Sequence, residues 1–191
     1  MTNFGYETVG SDYYGIEDYI GGSVYTITEA GTADSITVAL KWITSAWTGK
    51  VKCAIYLHSD LSLKGTTEER TITLTSSFIW YTFNFPDPKP SLTAATAYIL
   101  VVWAEEDSGA PNIARDNGDA NQGHYDAVTY NGFPNPLTPT HYDSKDSIYC
   151  TYTPSGRKPQ RMLMGVGLCA RLPKFQPRKV VPYKCPLPRV M

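Results

Sequence analysis

Two copies of one pattern, His124-Tyr125-Asp126 and His141-Tyr142-Asp143, are the residues of this chain best equipped for chemistry. An imidazole titrating near neutral pH beside a carboxylate can move protons or hold a transition metal. Both triplets stand in a stretch rich in turn formers. No nucleophile elbow, phosphate loop, dinucleotide fingerprint or zinc-protease motif accompanies them, so a non-enzymatic protein is expected.

The same stretch supplies a second chemistry. Asp116, Asp119 and Asp126, with Asn117 and Asn121 between them, offer the hard oxygen ligands that calcium prefers, and calcium is the one cofactor the sequence suggests. Their spacing departs from the helix-loop-helix calcium motif, and turns also select Asn, Asp and Gly. A third chemistry is stacking. Trp42, Trp47, Tyr130, Phe133 and Tyr142 could present flat faces to sugar rings while neighbouring Asp and Asn side chains bond hydroxyls. Trp47 leads this group because it falls between Ala46 and Thr48 in a predicted turn. Aromatics also serve strands simply by packing.

Charge divides the chain. All 18 acidic residues precede Arg157, whereas 9 of the 17 basic residues lie from Arg157 onward, so the body carries about −10 and the remainder +9. Such asymmetry points to an oppositely charged partner, either nucleic acid or the acidic body of another subunit. Residues 172–191 contain prolines at 173, 177, 182, 186 and 188 and are expected to run as an extended arm. With only Phe175 and Tyr183 as aromatics, and with its cations spread along the chain, this arm makes a poor stacking platform for nucleic acid. A protein partner, most simply another copy, is expected to meet Lys174, Phe175, Arg178, Lys179, Tyr183, Lys184, Leu187 and Arg189.

These residues must be positioned by strands, since Tyr, Thr, Phe, Trp, Gly and Pro dominate and helix formers are few. Residues 1–21 read as an irregular leading segment closed by Gly21-Gly22. Strands are expected at 23–28, 34–43, 50–57, 66–74, 78–85, 98–104, 125–130, 147–153 and 161–171, about eight to ten in all. In 34–43, Ile36, Val38 and Leu40 alternate with Ser35, Thr37 and Ala39. In 50–57, Val51, Cys53, Ile55 and Leu57 share one face, and Lys52, Ala54 and Tyr56 share a face expected to be wet. Residues 105–146 read as loop-rich, the place where function is expected. The fold class is therefore an all-β antiparallel sandwich, jelly-roll or fibronectin-like, over residues 22–171, followed by the arm at 172–191. The longest apolar run, 97–104, is far short of the roughly 18 residues of a membrane helix. Cys53, Cys150, Cys169 and Cys185 have no close pairing and are either small buried hydrophobes or, for Cys150 or Cys185, part of a disulfide.

Leu92, Thr96 and Tyr98, ahead of the apolar strand at 98–104, have the spacing of a sandwich corner in which a tyrosine hydroxyl bonds back to the backbone. On these residues the stretch from about Gly31 to Ala104 resembles fibronectin type III and related carbohydrate-binding sandwiches. The resemblance implies an architecture and carries no activity. Together these features lead to a structural assembly protein, foremost a virion capsid, decoration or fibre subunit whose arm clasps a neighbour. The alternative is a secreted carbohydrate-binding module, with calcium as a possible companion. The opening residues lack the charge and apolar stretch of a secretory signal, and the expected location is a virion or the extracellular space.

Overall fold

The chain folds into two antiparallel sheets packed face to face, with no helix among the described residues. The computed structural model describes residues 1–43, 46–105 and 111–156. Numbered in chain order, the strands of the first sheet lie side by side as β1 (Thr2–Gly5), β15 (Ile148–Pro154), β4 (Gly31–Lys41), β11 (Asn112–Asn117) and β14 (Ser144–Asp146). β2 (Asp12–Gly15) also pairs with β11, and β8 (Ile79–Asn84) and β9 (Ser91–Leu92) pair with β4. The second sheet runs β13 (Thr140–Tyr142), β12 (Gly123–Ala127), β3 (Tyr19–Ile27), β10 (Thr96–Ala104), β5 (Trp47–Leu57) and β6 (Leu63–Thr66), with β7 (Arg70–Leu74) beside β5. Because neighbouring strands in space are distant in sequence, the sandwich is held by long-range pairing.

Period-two alternation explains the core. Ile36, Val38 and Leu40 from β4 meet Val51, Cys53 and Ile55 from β5, all fully buried between the sheets. β10 lies between β3 and β5, and its unbroken apolar run is buried on both faces, as a central strand requires. At the corner preceding it, the Tyr98 hydroxyl accepts a hydrogen bond from the Thr93 backbone N–H at 2.9 Å. Cys53 and Cys150 are buried free thiols. Cys169, Cys185, the strand expected at 161–171 and the whole arm at 172–191 lie outside the described residues.

Several expectations are corrected. Residues 1–21 are not irregular: they supply β1, β2 and the start of β3, and bury Phe4, Ile16 and Ile20. Strands of four residues, each with few apolar side chains, are too short for a period to register in sequence. The stretch 105–146 is likewise strand-bearing, with β11 to β14 built around its turns. The strand expected at 66–74 is two, β6 and β7. Thr67 stands between them, its Oγ1 accepting from the Cys53 N–H at 2.9 Å.

The face of β5 expected to be wet is dry. Ala54 and Tyr56 are fully buried in a second apolar cluster with Ile20, Ile99, Val101 and Trp103, on the outer side of the second sheet. Residues 128–137 lie across this cluster. They are fastened by the Tyr56 hydroxyl donating to Pro134 O at 2.8 Å, by the Leu63 N–H donating to Asn135 Oδ1 at 3.0 Å, and by the Leu137 N–H donating to Leu61 O at 3.0 Å.

Candidate functional site

The described surface opens between the sheets at one pair of edges, where β2, β11 and β14 of the first sheet face β12 and β13 of the second. A cavity of about 200 Å³ there is lined by Tyr14, Arg115, His124, Tyr125, Tyr142 and Ser144. A second cavity of about 190 Å³ shares Arg115, Tyr142 and Ser144 and adds Asp12, Asp116, Asn117 and Asp143. The two form one cleft with a tyrosine half and an acidic half.

Local sequence explains how these side chains come together. β11 pairs with β2 so that Arg115 stands opposite Asp12 and Ile113 opposite Tyr14, which puts all four on the inward face. On the other wall Gly123 pairs with both Ser23 and Tyr142. A Cβ at Gly123 would clash with the Ser144 hydroxyl, and one at Gly21 with the Tyr14 hydroxyl, so glycine lets the two edges approach. Tyr125 packs against Tyr19 with ring centroids 4.4 Å apart and against Tyr142 at 5.4 Å.

The cleft is acidic. Asp12 Oδ2 accepts from Nε and Nη2 of Arg115 at 3.1 and 3.0 Å, and the Arg115 guanidinium lies 5.1 Å from the Tyr14 ring centre. The Tyr13 backbone N–H and then Arg115 hold the Asp12 carboxyl below its usual range. Asp116 accepts from the Ser11 N–H at 2.9 Å, the Tyr6 hydroxyl at 2.6 Å and the Ser11 hydroxyl at 2.8 Å, which holds its carboxyl at about 2. Asp143 stands at the rim, and Lys145, opposite Asp116 on β14, adds a second cation, so three carboxylates stand against Arg115 and Lys145.

Behind the cleft lies Asp146, only 1% exposed. Burial pushes its carboxyl up to about 6, against the opposing pull of hydrogen bonds from Ser23 and Tyr14, each 3.1 Å long. Its other oxygen, Oδ1, has no partner among the described residues. The Tyr25 hydroxyl donates to its backbone oxygen at 2.5 Å.

The two triplets meet, though not as a catalytic pair. β12 and β13 put His124 opposite His141, and the three histidines form a row on the outer side of the second sheet, His124 standing 5.5 Å from His58 and 4.5 Å from His141. Their carboxylates are occupied elsewhere: Asp126 accepts from Thr138 N–H and Oγ1, and Asp143 from the Asn121 N–H. His124 is buried, its Nδ1 lies 3.2 Å from Gln122 O, and its Nε2 has no partner among the described residues. Burial pushes its pKa down to about 4, so it stays neutral near neutral pH.

The three aspartates expected as calcium ligands are also separated. Asp116 belongs to β11 in the first sheet, Asp119 to the turn after it, and Asp126 is buried on β12 in the second sheet. Among the described residues no group of three or more His, Cys, Asp or Glu side chains is gathered to hold a metal ion.

Of the stacking candidates, Trp47 is not in a turn. It is the first residue of β5, 3% exposed and packed in the core, because the alternation of β5 begins three residues earlier than Lys50. Trp42 packs half-buried against the same core. Tyr130 and Phe133 seal the outer cluster against Trp103, with ring centroids at 5.1 and 5.3 Å, and Lys52 sits over all three rings. Of these candidates Tyr142 alone is exposed, at 46%, and it stands at the cleft in ring contact with Tyr125. The arm residues Lys174, Phe175, Arg178, Lys179, Tyr183, Lys184, Leu187 and Arg189 lie outside the described residues.

Tyr14, Arg115 and Ser144 were not singled out in the sequence, and nothing local could have done so: they meet only through the pairing of β11 with strands 100 residues before it and 30 after it. No protein-family model matches the chain, and no curated protein is similar to it. Function is therefore read from the cleft and from the two outer faces of the sandwich.

Proposed function

We propose that the protein is a non-catalytic structural subunit that assembles with copies of itself, of the kind that forms a virion capsid, decoration or fibre. The observation that carries this reading is the outer face of the first sheet. Tyr13, Phe78, Trp80 and Tyr149 form an aromatic band there, with Lys41 at 3.5 Å from the Tyr13 ring centre and 4.5 Å from that of Phe78. Trp80 and Tyr149 meet at 5.4 Å across Ala39, and Tyr13 is 41% exposed. Tyr13 is the exposed member of the band and Phe78, Trp80 and Tyr149 are half-buried, and a grouped aromatic surface of this kind marks an interaction site. The charge division supports the same reading, because an acidic body and a basic arm attract one another between copies.

The test is the mass of the protein in solution with and without residues 172–191. The full chain is expected to form a defined oligomer and the chain ending at Arg171 to remain folded but assemble poorly. Equal assembly by both would remove the arm from the account, and a monomer at all concentrations would remove the assembly reading.

A second reading, a carbohydrate-binding module, is favoured by one separate observation: Tyr142 is exposed at the rim of the cleft with Asp143 and Asn117 alongside. A monomer whose Tyr142 resonances shift on adding a neutral polysaccharide would select it.

A further inference from the structure

We propose that the cleft between the sheet edges is the seat for the basic, proline-rich segment 172–191 of a second copy. The inference rests on the assembly reading and supplies its docking site. The cleft has two adjoining compartments. One has tyrosine walls from Tyr14, Tyr125 and Tyr142, and the other carries Asp12, Asp116 and Asp143, with Tyr142 and Arg115 shared between them.

A proline-rich segment suits that division. Extended polyproline has a preformed backbone with about 3.1 Å between residues, and its rings pack flat on aromatic side chains at little entropic cost. In residues 172–191 a cation follows the ring directly at Pro173-Lys174, Pro177-Arg178 and Pro188-Arg189. A ring laid on Tyr142 in the first compartment therefore brings a positive charge to the second, where three carboxylates outnumber the two cations Arg115 and Lys145. Anionic occupants meet repulsion at the same place, and nucleic acid is disfavoured for that reason.

A neighbour's arm is favoured by charge: the acidic residues all lie in the body that forms the cleft and the +9 lies from Arg157 onward, so copies attract one another through cleft and arm.

The test uses the full chain, a synthetic peptide of residues 172–191, and the variants Tyr142→Ala, Asp143→Asn and Trp80→Ala. Tyr142 is exposed, so its truncation leaves the core intact, which a dichroism spectrum checks. Excess peptide is expected to dissociate the oligomer, and Tyr142→Ala to weaken peptide binding and assembly about tenfold or more. Asp143→Asn should weaken both by a smaller factor that vanishes in high salt, while Trp80→Ala leaves peptide affinity unchanged. Arm-dependent assembly indifferent to Tyr142→Ala and to the peptide would overturn the cleft as the seat and leave the assembly reading standing. A monomeric chain that binds the peptide through Tyr142 would do the reverse, sinking the assembly reading while keeping the cleft's chemistry. A monomer that ignores the peptide, or one whose Tyr142 responds to maltose or cellobiose instead, overturns the proposal.

Discussion

On the outer face of the second sheet, Tyr56, Ile99, Val101 and Trp103 are sealed by residues 128–137 of the same chain, whereas on the outer face of the first, Tyr13, Phe78, Trp80 and Tyr149 pack, among the described residues, against one another and Lys41. Both faces carry aromatics in alternate positions of their strands. What separates them is a single connection. The segment after β12 has enough length and apolar content to fold back over β5 and β10, and its hydrogen bonds to Tyr56 and Leu63 fasten it there. On the first sheet the connection from β1 to β2 is fastened instead at Ile148, Ser147 and Asp116. A large side chain removed from water contributes about 1.5 to 3 kcal/mol, so the second face adds to the stability of the single chain, while the first, with Tyr13 exposed and Phe78, Trp80 and Tyr149 half-buried, holds a smaller reserve that a partner would realise.

That contrast is most severely tested by Trp103→Ala. Its indole is 1% exposed beneath Tyr130 and Phe133, and truncation is expected to cost about 3 to 5 kcal/mol, read as a lower urea midpoint of the monomer. A cost below about 1 kcal/mol would mean that the loop does not seal the face.

The next effect is on pH dependence and sets a buried group on the second sheet's outer side against one between the sheets. His124 has a folded pKa of about 4 against 6.5 when unfolded, so its contribution is present above pH 6.5 and lost as pH falls towards 4. Asp146 has a folded pKa of about 6 against 3.8, so its contribution is fully present below pH 3.8 and lost as pH rises through 6. Each shift corresponds to about 3 kcal/mol, with opposite sign over the same window, so these two contributions offset one another between pH 6.5 and 4. His124→Gln is expected to make the chain more stable on acidification over that range, and Asp146→Asn less stable. Denaturation midpoints at pH 7, 5 and 4 for the three proteins check this, and parallel behaviour of the two variants would refute the assignment.

The smallest effect completes the comparison. Trp80→Ala, on the open face, should change monomer stability by no more than about 1 kcal/mol, since its ring is only partly buried there. It should nevertheless weaken the oligomer measurably in sedimentation. If it destabilises the monomer as much as Trp103→Ala does, the two faces are not different in kind.

How much of this was open to reading without the fold varies by element. The alternation of Ile36, Val38 and Leu40 and of Val51, Cys53 and Ile55 specifies strands and an inward face wherever they are placed, because side chains on a strand alternate regardless of neighbours. The Tyr98 corner was legible for a similar reason: its hydroxyl bonds to Thr93, five residues away. The acidic body and basic arm are properties of composition alone. The dry outer face of β5, the burial of Trp47, the meeting of His124 with His141, and the cleft of Tyr14, Arg115 and Ser144 were not legible. Each depends on which strands become neighbours, and in an antiparallel sandwich that is decided by pairings up to about 150 residues apart, such as Thr2 with Tyr152, which no local pattern encodes.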